Sequence, residues 1–200
     1  DRFEGGGSGE EVRQVVLDDG TALEADLVVV GVGVRPATEI VEGLETAEDG
    51  SIPVDAQLRA GEDVYAAGDL ARFPDPRTGE PIRIEHWRLA QQHGEIAGAN
   101  LAGAERSYEG VPFFWTGQLG RNVRYVGHAP DWDEVIFDGE PTDREFLAFY
   151  VSDGEIRALA GLGRDREMAA AEELMRRGRL PEPEEVRADA ADLVARLGAI

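Results

Sequence analysis

The sequence contains, at residues 64–69, the stretch Val-Tyr-Ala-Ala-Gly-Asp, and this stretch decides how the rest of the chain is interpreted. Residues 63–67 predict a buried strand, which ends at Gly68 and Asp69. Ligands of open α/β sheets bind beyond the carboxyl ends of the strands. Glycine lets a ligand approach the backbone, and a carboxylate beside it accepts hydrogen bonds from sugar-like hydroxyl groups. The corner therefore predicts a ligand site, although an ordinary Asx turn or a helix cap would use the same two residues.

A second corner of this kind comes earlier in the chain. Leu27–Val30 is a continuous run of the type buried on both faces of a sheet, and it predicts a strand that ends at Gly31-Val32-Gly33. The two glycines lack the third glycine and the helix of a dinucleotide fingerprint. Taken alone, they favour a tight exit turn over a binding site.

Shorter β elements flank these two corners. Residues 12–17 and 21–23, joined by Asp18-Asp19-Gly20, predict a β-hairpin. Residues 52–55 predict a short edge strand, because proline does not donate to a β-ladder. Residues 5–9, Gly-Gly-Gly-Ser-Gly, favour a flexible native turn over an engineered linker.

The remainder of the chain predicts one long helix, an antiparallel sheet and two final helices. Apolar positions at helical spacing predict a helix over 85–101 that covers the sheet, and Gly103 fits its end. A domain boundary is expected near residue 104. The final helices are predicted over 166–177 and 184–197. An antiparallel meander is expected from strands at 113–116, 123–128, 134–137, 146–151 and 156–162.

Composition excludes several classes of function. The 41 acidic and 20 basic residues give a net charge of −21, which disfavours nucleic acid and anionic membrane surfaces as partners. Without cysteine there is neither a thiolate metal site nor a catalytic thiol in these residues. The three histidines, His86, His93 and His128, are too scattered to predict a metal site, and His93 on the apolar stripe favours a core position. No apolar run is long enough to span a bilayer, so we expect a soluble, cytoplasmic protein.

Several blocks of residues together resemble a known family. Their order and spacing are similar to the second half of FAD-dependent pyridine nucleotide-disulfide oxidoreductases. These blocks are residues 19–36, 52–59 and 64–69. Three more blocks resemble the branch of apoptosis-inducing-factor-like and oxygenase-coupled ferredoxin reductases. They are Glu85-His86-Trp87, residues 111–116 and residues 123–128. The resemblance covers nearly all 200 residues.

The resemblance implies a fold class and a domain organisation. It implies an α/β part followed by an α+β part: the returning part of a Rossmann-like FAD domain, then an interface domain with an antiparallel sheet and C-terminal helices. Residues 1–35 would end an NAD(P)-binding domain, 36–103 would complete the FAD-binding domain, and 104–200 would form the interface (reductase) domain. Since the family carries its glycine-rich FAD and NAD(P)H fingerprints upstream, we expect the C-terminal half of an enzyme.

The resemblance also implies binding residues. Asp69 would bond the flavin ribityl chain, and Gly68 would permit the approach. Glu85, His86 and Trp87 would open the long helix beside the flavin, where the helix N-terminus favours negative charge on the reduced ring. Trp115 would lie near the flavin and nicotinamide rings, and Gly33 and Glu85 would line the nicotinamide nucleotide. Alternatively, Trp115 is a core residue and Glu85 a first-turn carboxylate. No catalytic side chain and no metal ligand is assigned.

The implied function is electron transfer from NAD(P)H through FAD to an iron–sulfur protein such as a ferredoxin or a Rieske component. The acidic net charge weakens the choice of acceptor, because ferredoxins are usually acidic and like charges slow encounter. The resemblance is also compatible with a homodimer. The alternative is a catalytically silent chain that acts as a dimerisation or protein-interaction module.

Overall fold

The computed structural model describes residues 2–5, 11–189 and 192–199. The chain divides into two compact units, residues 1–35 and residues 36–200. Most of the Gly-Gly-Gly-Ser-Gly segment, residues 6–9, lies outside the described residues. None of the described helices has the length and the apolar character that crossing a membrane requires.

The first unit holds a three-stranded antiparallel sheet. Its strands are β1 (Arg2–Gly5), β2 (Val12–Val16) and β3 (Ala22–Glu24), with β2 in the centre. The turn between β2 and β3 is closed by a hydrogen bond from the Leu17 N–H to the Thr21 carbonyl oxygen, 2.9 Å long. Gly20 supplies the positive φ, +84°, that this turn requires. The predicted hairpin is confirmed.

The predicted buried strand at residues 27–30 is wrong. These residues form no β-ladder with any described residue, and the exposed fractions of Leu27 and Val29 are 79% and 86%. A strand buried on both faces needs a hydrogen-bonding neighbour on each edge and cover on each face. The composition of residues 27–30 suits a buried strand, but it does not show that neighbouring strands and covering elements are present.

The second unit begins with short strands. They are β4 (Ile52–Pro53), β5 (Arg59–Gly61), β6 (Val64–Tyr65), β7 (Ala71–Pro74) and β8 (Pro81–Ile82). β4 pairs in parallel with β7, β7 pairs antiparallel with β8, and β5 and β6 form a separate hairpin. As predicted for residues 52–55, β4 lies at an edge of its sheet. The predicted buried strand over 63–67 is wrong in burial and in length. In β6, Val64 is 40% exposed and Tyr65 is half-buried. Asp63, with φ +57°, forms the turn before β6, and Ala66 has already left the ladder.

The long helix is confirmed with a later start. α1 runs Trp87–Leu101, and His86 is its N-cap. Gly103, with φ +92°, donates its N–H to the Asn100 carbonyl oxygen and ends the helix as predicted. The buried face of α1 packs against residues from the short strands and the loops around them. This cluster contains Leu58, Phe73, Ile82, Ile84, Leu89, Ile96, Ala97 and Tyr108.

The C-terminal part is a five-stranded antiparallel sheet. Its strands are β9 (Phe113–Gln118), β10 (Arg121–Gly127), β11 (Glu134–Glu140), β12 (Glu145–Ser152) and β13 (Glu155–Leu162). Their order is β11-β12-β13-β10-β9, so β13 lies between β12 and β10. The antiparallel sheet is confirmed, but the meander is wrong. Periodicity places residues on strands and faces, whereas the pairing of β10 with β13 depends on long-range packing.

Three helices follow the sheet. They are α2 (Asp165–Arg176), α3 (Pro183–Ala188) and α4 (Leu193–Gly198). The core between α2 and the sheet includes Met168 and Leu174 against Leu147, Phe149 and Leu159. The single predicted helix over 184–197 is wrong. Asp189 takes an extended conformation that ends α3, and the Asp192 carboxylate caps a new helix by accepting from the Ala195 N–H at 2.9 Å. Ala190, part of the predicted apolar stripe, lies outside the described residues.

The predicted fold class is confirmed. A mixed α/β segment precedes an antiparallel sheet whose core is completed by C-terminal helices.

Candidate functional site

The Gly68–Asp69 corner is a single 3₁₀ turn, Gly68–Leu70, directly after the β6 hairpin. Gly68 is buried and has φ +79°, a conformation that L side chains rarely adopt. A Cβ at Gly68 would lie 3.0 Å from the Cβ of Ala90 on α1. Glycine is therefore required here by the backbone conformation and by the close packing of the turn against the helix. These two requirements apply to Gly68 in addition to the approach of a ligand.

The Asp69 carboxylate is exposed at this corner. No described residue donates a hydrogen bond to it. The main-chain carbonyl of Asp69, in contrast, accepts a 3.1 Å hydrogen bond from Nη1 of Arg83. The backbone is thus held while the carboxylate remains available to a ligand.

Arg83 connects the corner to the residues before α1. Its Nη1 lies 2.6 Å from Oε1 of Glu85, and its Nε donates to Oδ2 of Asp49 at 3.1 Å. Hydrogen bonds from Ser51, with a further contribution from Arg83, lower the pKa of Asp49 to about 2, so this carboxylate is charged at neutral pH. Glu85 lies before α1, not within it, which corrects the expectation that it opens the helix.

His86 caps the N-terminus of α1. Its Nδ1 accepts a hydrogen bond from the Arg88 N–H at 3.2 Å, so one of the unpaired N–H groups at this helix end is already occupied. Burial, followed by the positive charge of Arg88, lowers the pKa of His86, whereas the carboxylate of Asp69 acts in the opposite direction. The cap is therefore electrostatically coupled to the Asp69 corner.

Two tryptophans lie beside this cap. The ring centroid of His86 is 5.8 Å from that of Trp87 and 5.4 Å from that of Trp115, and the two indoles meet edge to face at 5.5 Å. Trp115 is on the edge strand β9 and is 39% exposed, and Trp87 is 62% exposed. The alternative that Trp115 is a core residue is wrong.

The structure thus brings six of the seven predicted site residues into one neighbourhood. They are Gly68, Asp69, Glu85, His86, Trp87 and Trp115. Gly33 belongs to the first unit, where its φ of +85° requires glycine and open space surrounds the position of a Cβ. Its assignment to a nicotinamide site, like the ligand roles of the other six, stays a prediction.

Sequence reasoning missed the residues that hold this neighbourhood together. Arg83 and Asp49 are 34 residues apart, and no local pattern connects them. Arg88 lies 4.9 Å over the ring of Phe113 and pairs with Glu172 of α2 at 2.8 Å, which ties the start of α1 to the C-terminal part. The sequence around Arg88 does not indicate that its partner is Glu172, 84 residues later in the chain.

Comparison with known proteins identifies the family of this chain. Residues 2–94 match the family model of pyridine nucleotide-disulphide oxidoreductases, and residues 113–197 match that of the reductase C-terminal domain. Human apoptosis-inducing factor 3 is 32% identical over 180 residues, covering 88% of this chain and 30% of the relative. The ferredoxin–NAD(+) reductase component of the anthranilate 1,2-dioxygenase system from Burkholderia cepacia is 33% identical over 174 residues, covering 86% of this chain and 43% of the relative.

A solved structure gives the same result. The ferredoxin reductase of the CYP199A2 system from Rhodopseudomonas palustris superimposes with a TM-score of 0.84 at 34% identity, covering 96% of this chain and 47% of that structure. The chain belongs to the pyridine nucleotide-disulphide oxidoreductase family, in the branch whose members end in a reductase C-terminal domain. It spans between about a third and a half of the length of these relatives.

The family uses FAD and NAD(P)H, and the residues of the corner fit the first of these. A ribityl chain offers hydroxyl donors, and Asp69 presents a carboxylate that the described residues leave without a donor. A flavin ring offers an apolar face, and Trp87 and Trp115 present exposed aromatic surface. The corner thus offers an acceptor for the hydroxyl groups of the cofactor and aromatic surface for its ring.

Proposed function

We propose that this chain provides the flavin-contacting corner and the interface domain of a reductase that passes electrons from NAD(P)H through FAD to an iron–sulfur protein. The observation that carries the proposal is the exposed Asp69 carboxylate. Arg83 holds its backbone, and the carboxylate interacts electrostatically with His86, the helix cap that the exposed Trp87 and Trp115 contact. FAD supplies the chemistry when bound, since it accepts two electrons as a hydride and releases them one at a time.

The residues of this chain bind and orient the cofactor in the proposal. Asp69 accepts hydrogen bonds from the polyol hydroxyls, and Arg83 keeps the corner in place. The N-terminus of α1, capped by His86, directs its positive end toward the flavin. Trp87 and Trp115 exclude water from one side of the ring, and Glu85 faces the nicotinamide nucleotide. Gly33, in the first unit, keeps its predicted role in binding this nucleotide.

The division into domains follows the same proposal. Residues 1–35 would end the NAD(P)-binding domain, and residues 36–103 would complete the FAD-binding domain. Residues 104–200 would be the interface domain, which is supported by the match of 113–197 to the reductase C-terminal domain. A cytoplasmic location is part of the proposal.

An iron–sulfur protein as acceptor is supported by the names of the relatives, two of which are ferredoxin reductases. The net charge of −21 argues against an acidic acceptor in general. One positive charge lies close to Trp115, because its cross-strand partner on β10 is Arg124. Arg124 pairs with Asp165, however, so this cation is partly neutralised. The names of the relatives therefore support an iron–sulfur protein as the class of acceptor.

A second candidate function is favoured by one observation. The segment around Val30 and Val32 exposes a run of large apolar side chains, and an exposed run of this kind is typical of an interaction surface. A chain that serves in dimerisation or protein interaction, without flavin chemistry of its own, would carry such a surface. A homodimer would be one form of it.

The visible spectrum of the purified protein at its natural full length distinguishes the two candidates. We expect flavin bands, and we expect Asp69→Ala to weaken FAD binding by roughly 10- to 150-fold, which corresponds to the loss of about 1.5–3 kcal/mol for a hydrogen bond to a charged group. Asp131→Ala, which removes another exposed carboxylate, is the matched control and should bind as the wild type does. A colourless protein that FAD does not reconstitute would leave only the interaction module.

A further inference from the structure

His93 lies on the second turn of α1 and faces the Gly68–Asp69 corner from inside the protein. Its side chain is completely buried. Nδ1 of the imidazole accepts a hydrogen bond from the Gly68 N–H, with 3.4 Å between the nitrogens, across 25 residues of chain. A buried residue of the helix is thus bonded directly to the corner that presents Asp69.

Two aromatic rings fix the plane of this imidazole. The ring centroid of His93 lies 4.6 Å from that of Phe73 and 4.8 Å from that of Tyr108, and both pairs meet edge to face. The described residues give Nε2 no hydrogen-bonding partner, and the same holds for the hydroxyl of Tyr108. The bond to Gly68 is therefore the directional contact of an imidazole that is otherwise held by packing.

The geometry defines the protonation state of His93. An acceptor at Nδ1 must be unprotonated, so the neutral imidazole carries its proton on Nε2. Burial lowers the pKa of His93 to about 4, in agreement with a neutral side chain at physiological pH.

The corner needs contacts that select one backbone conformation. Gly68 has no side chain, and glycine adopts many backbone conformations at little cost, so neighbouring groups must choose the positive φ seen here. His93 binds the N–H of Gly68 from the protein side, and Arg83 binds the carbonyl of the next residue, Asp69. The two contacts lie on either side of the Asp69 side chain along the backbone, so together they fix the direction in which this side chain leaves the backbone.

We propose that His93 is a positioning residue for the cofactor site: it acts through Gly68 to fix the orientation of the Asp69 carboxylate. The inference rests on the proposed function, because it gives Asp69 its role toward FAD. It adds a residue that has no contact with the ligand and that composition alone would classify as core.

Three variants test this role. His93→Asn keeps an acceptor, because the amide oxygen of asparagine occupies the place of Nδ1. His93→Leu keeps a side chain of similar size and removes the acceptor. Ile96→Ala removes apolar contacts from the same buried cluster and leaves the Gly68 bond intact, so it serves as the matched control for general destabilisation.

Two measurements do not depend on FAD. The ¹⁵N chemical shifts of the wild-type imidazole should show the proton on Nε2, and a proton on Nδ1 would overturn the proposal without any variant. In His93→Leu, amide hydrogen exchange should accelerate at least tenfold more at Gly68 than at the amides of α2. In His93→Asn and in Ile96→Ala, the exchange rate of the Gly68 amide should stay within about threefold of the wild-type rate.

The third measurement is the affinity for FAD of the protein at its natural full length. We expect about a tenfold loss in His93→Leu, with recovery in His93→Asn. If His93→Leu binds FAD with wild-type affinity although its Gly68 amide exchanges rapidly, the bond from Gly68 to His93 does not position the site. Failure of the wild-type protein to bind FAD would overturn the proposed function, whereas the shifts and exchange rates would still decide whether His93 holds Gly68.

Discussion

Arg83 donates a hydrogen bond from Nη1 to the main-chain carbonyl oxygen of Asp69, 14 residues earlier in the chain, over 3.1 Å. The same guanidinium binds the carboxylates of Glu85 and Asp49. Arginine has five donors in a rigid planar arrangement, which suits a group that must connect three acceptors at once. The side chain of Arg83 thus connects the Gly68–Asp69 corner, Glu85 before the helix cap, and Asp49 in the loop before β4.

We expect Arg83→Met to loosen this connection. The variant keeps the apolar part of the side chain and removes the three donors. Because the guanidinium is partly exposed, the free energy of unfolding should fall by only about 1–2 kcal/mol. The affinity for FAD of the protein at its natural full length should fall by roughly tenfold, measured by quenching of flavin fluorescence.

Arg72→Met is the matched control for this variant. Arg72 also approaches Asp49, with 3.7 Å between Nη1 and Oδ2, but no contact to Asp69 or Glu85 is found among the described residues. It should leave the affinity for FAD unchanged. Equal losses in both variants would mean that general charge near Asp49, and not the bond to Asp69, is responsible.

Gly68→Ala should be considerably more damaging than its small size suggests. An L residue in the left-handed region costs about 1–2 kcal/mol, and overpacking against Ala90 adds roughly 1–3 kcal/mol. The free energy of unfolding, from denaturant titration, should therefore fall by about 2–5 kcal/mol.

Gly79→Ala separates the two contributions. Gly79 has a φ of +76° and no heavy atom within 4 Å of a Cβ, so only the backbone cost of about 1–2 kcal/mol applies. In the Gly68→Ala background, Ala90→Gly should restore part of the loss by removing the close contact. If Gly68→Ala and Gly79→Ala lose equal free energy of unfolding, the close packing of the corner against α1 is not what requires glycine at position 68.

Local patterns predicted the elements that depend on local interactions. The apolar stripe and Gly103 located α1, and Asp18-Asp19-Gly20 located the hairpin, because caps and turns are read within a few residues. The helix after α2 was the exception. Its apolar spacing continues past Asp189, but this residue ends α3 and Asp192 starts a new helix.

The errors concern features that depend on distant partners. Residues 27–30 have the composition of a buried strand and lie exposed, since burial requires neighbours that the pattern itself does not provide. The insertion of β13 between β12 and β10 is likewise a matter of tertiary packing. In the site, the Gly68–Asp69 corner was predicted from the strand end, the glycine and the carboxylate, and the residues around α1 were predicted from the resemblance. The contact from Arg83 to Asp49 was not, because it joins residues far apart in the chain.

The stability of the protein should depend on pH through His93. The pKa of an unperturbed histidine is about 6.5, and burial lowers the pKa of His93 to about 4. Between these values the unfolded chain binds a proton that the folded chain does not bind. The free energy of unfolding must therefore decrease as the pH falls from about 6.5 to about 4, by up to roughly 3 kcal/mol in total.

Other groups titrate as well, so the comparison must isolate His93. Burial also lowers the pKa of His86 and of His128. Hydrogen bonds from Ser51 lower the pKa of Asp49 to about 2, so its contribution to the pH dependence of the unfolding free energy lies at more acidic pH. His93→Asn removes only the imidazole of interest and keeps an acceptor for Gly68. The difference in unfolding free energy between wild type and this variant, from denaturant titrations at pH 7.5, 6, 5 and 4, should change in favour of the variant as the pH falls. A difference that is constant over this interval would show that His93 has the same pKa in the folded and unfolded chains, which is incompatible with an imidazole sealed between Phe73 and Tyr108.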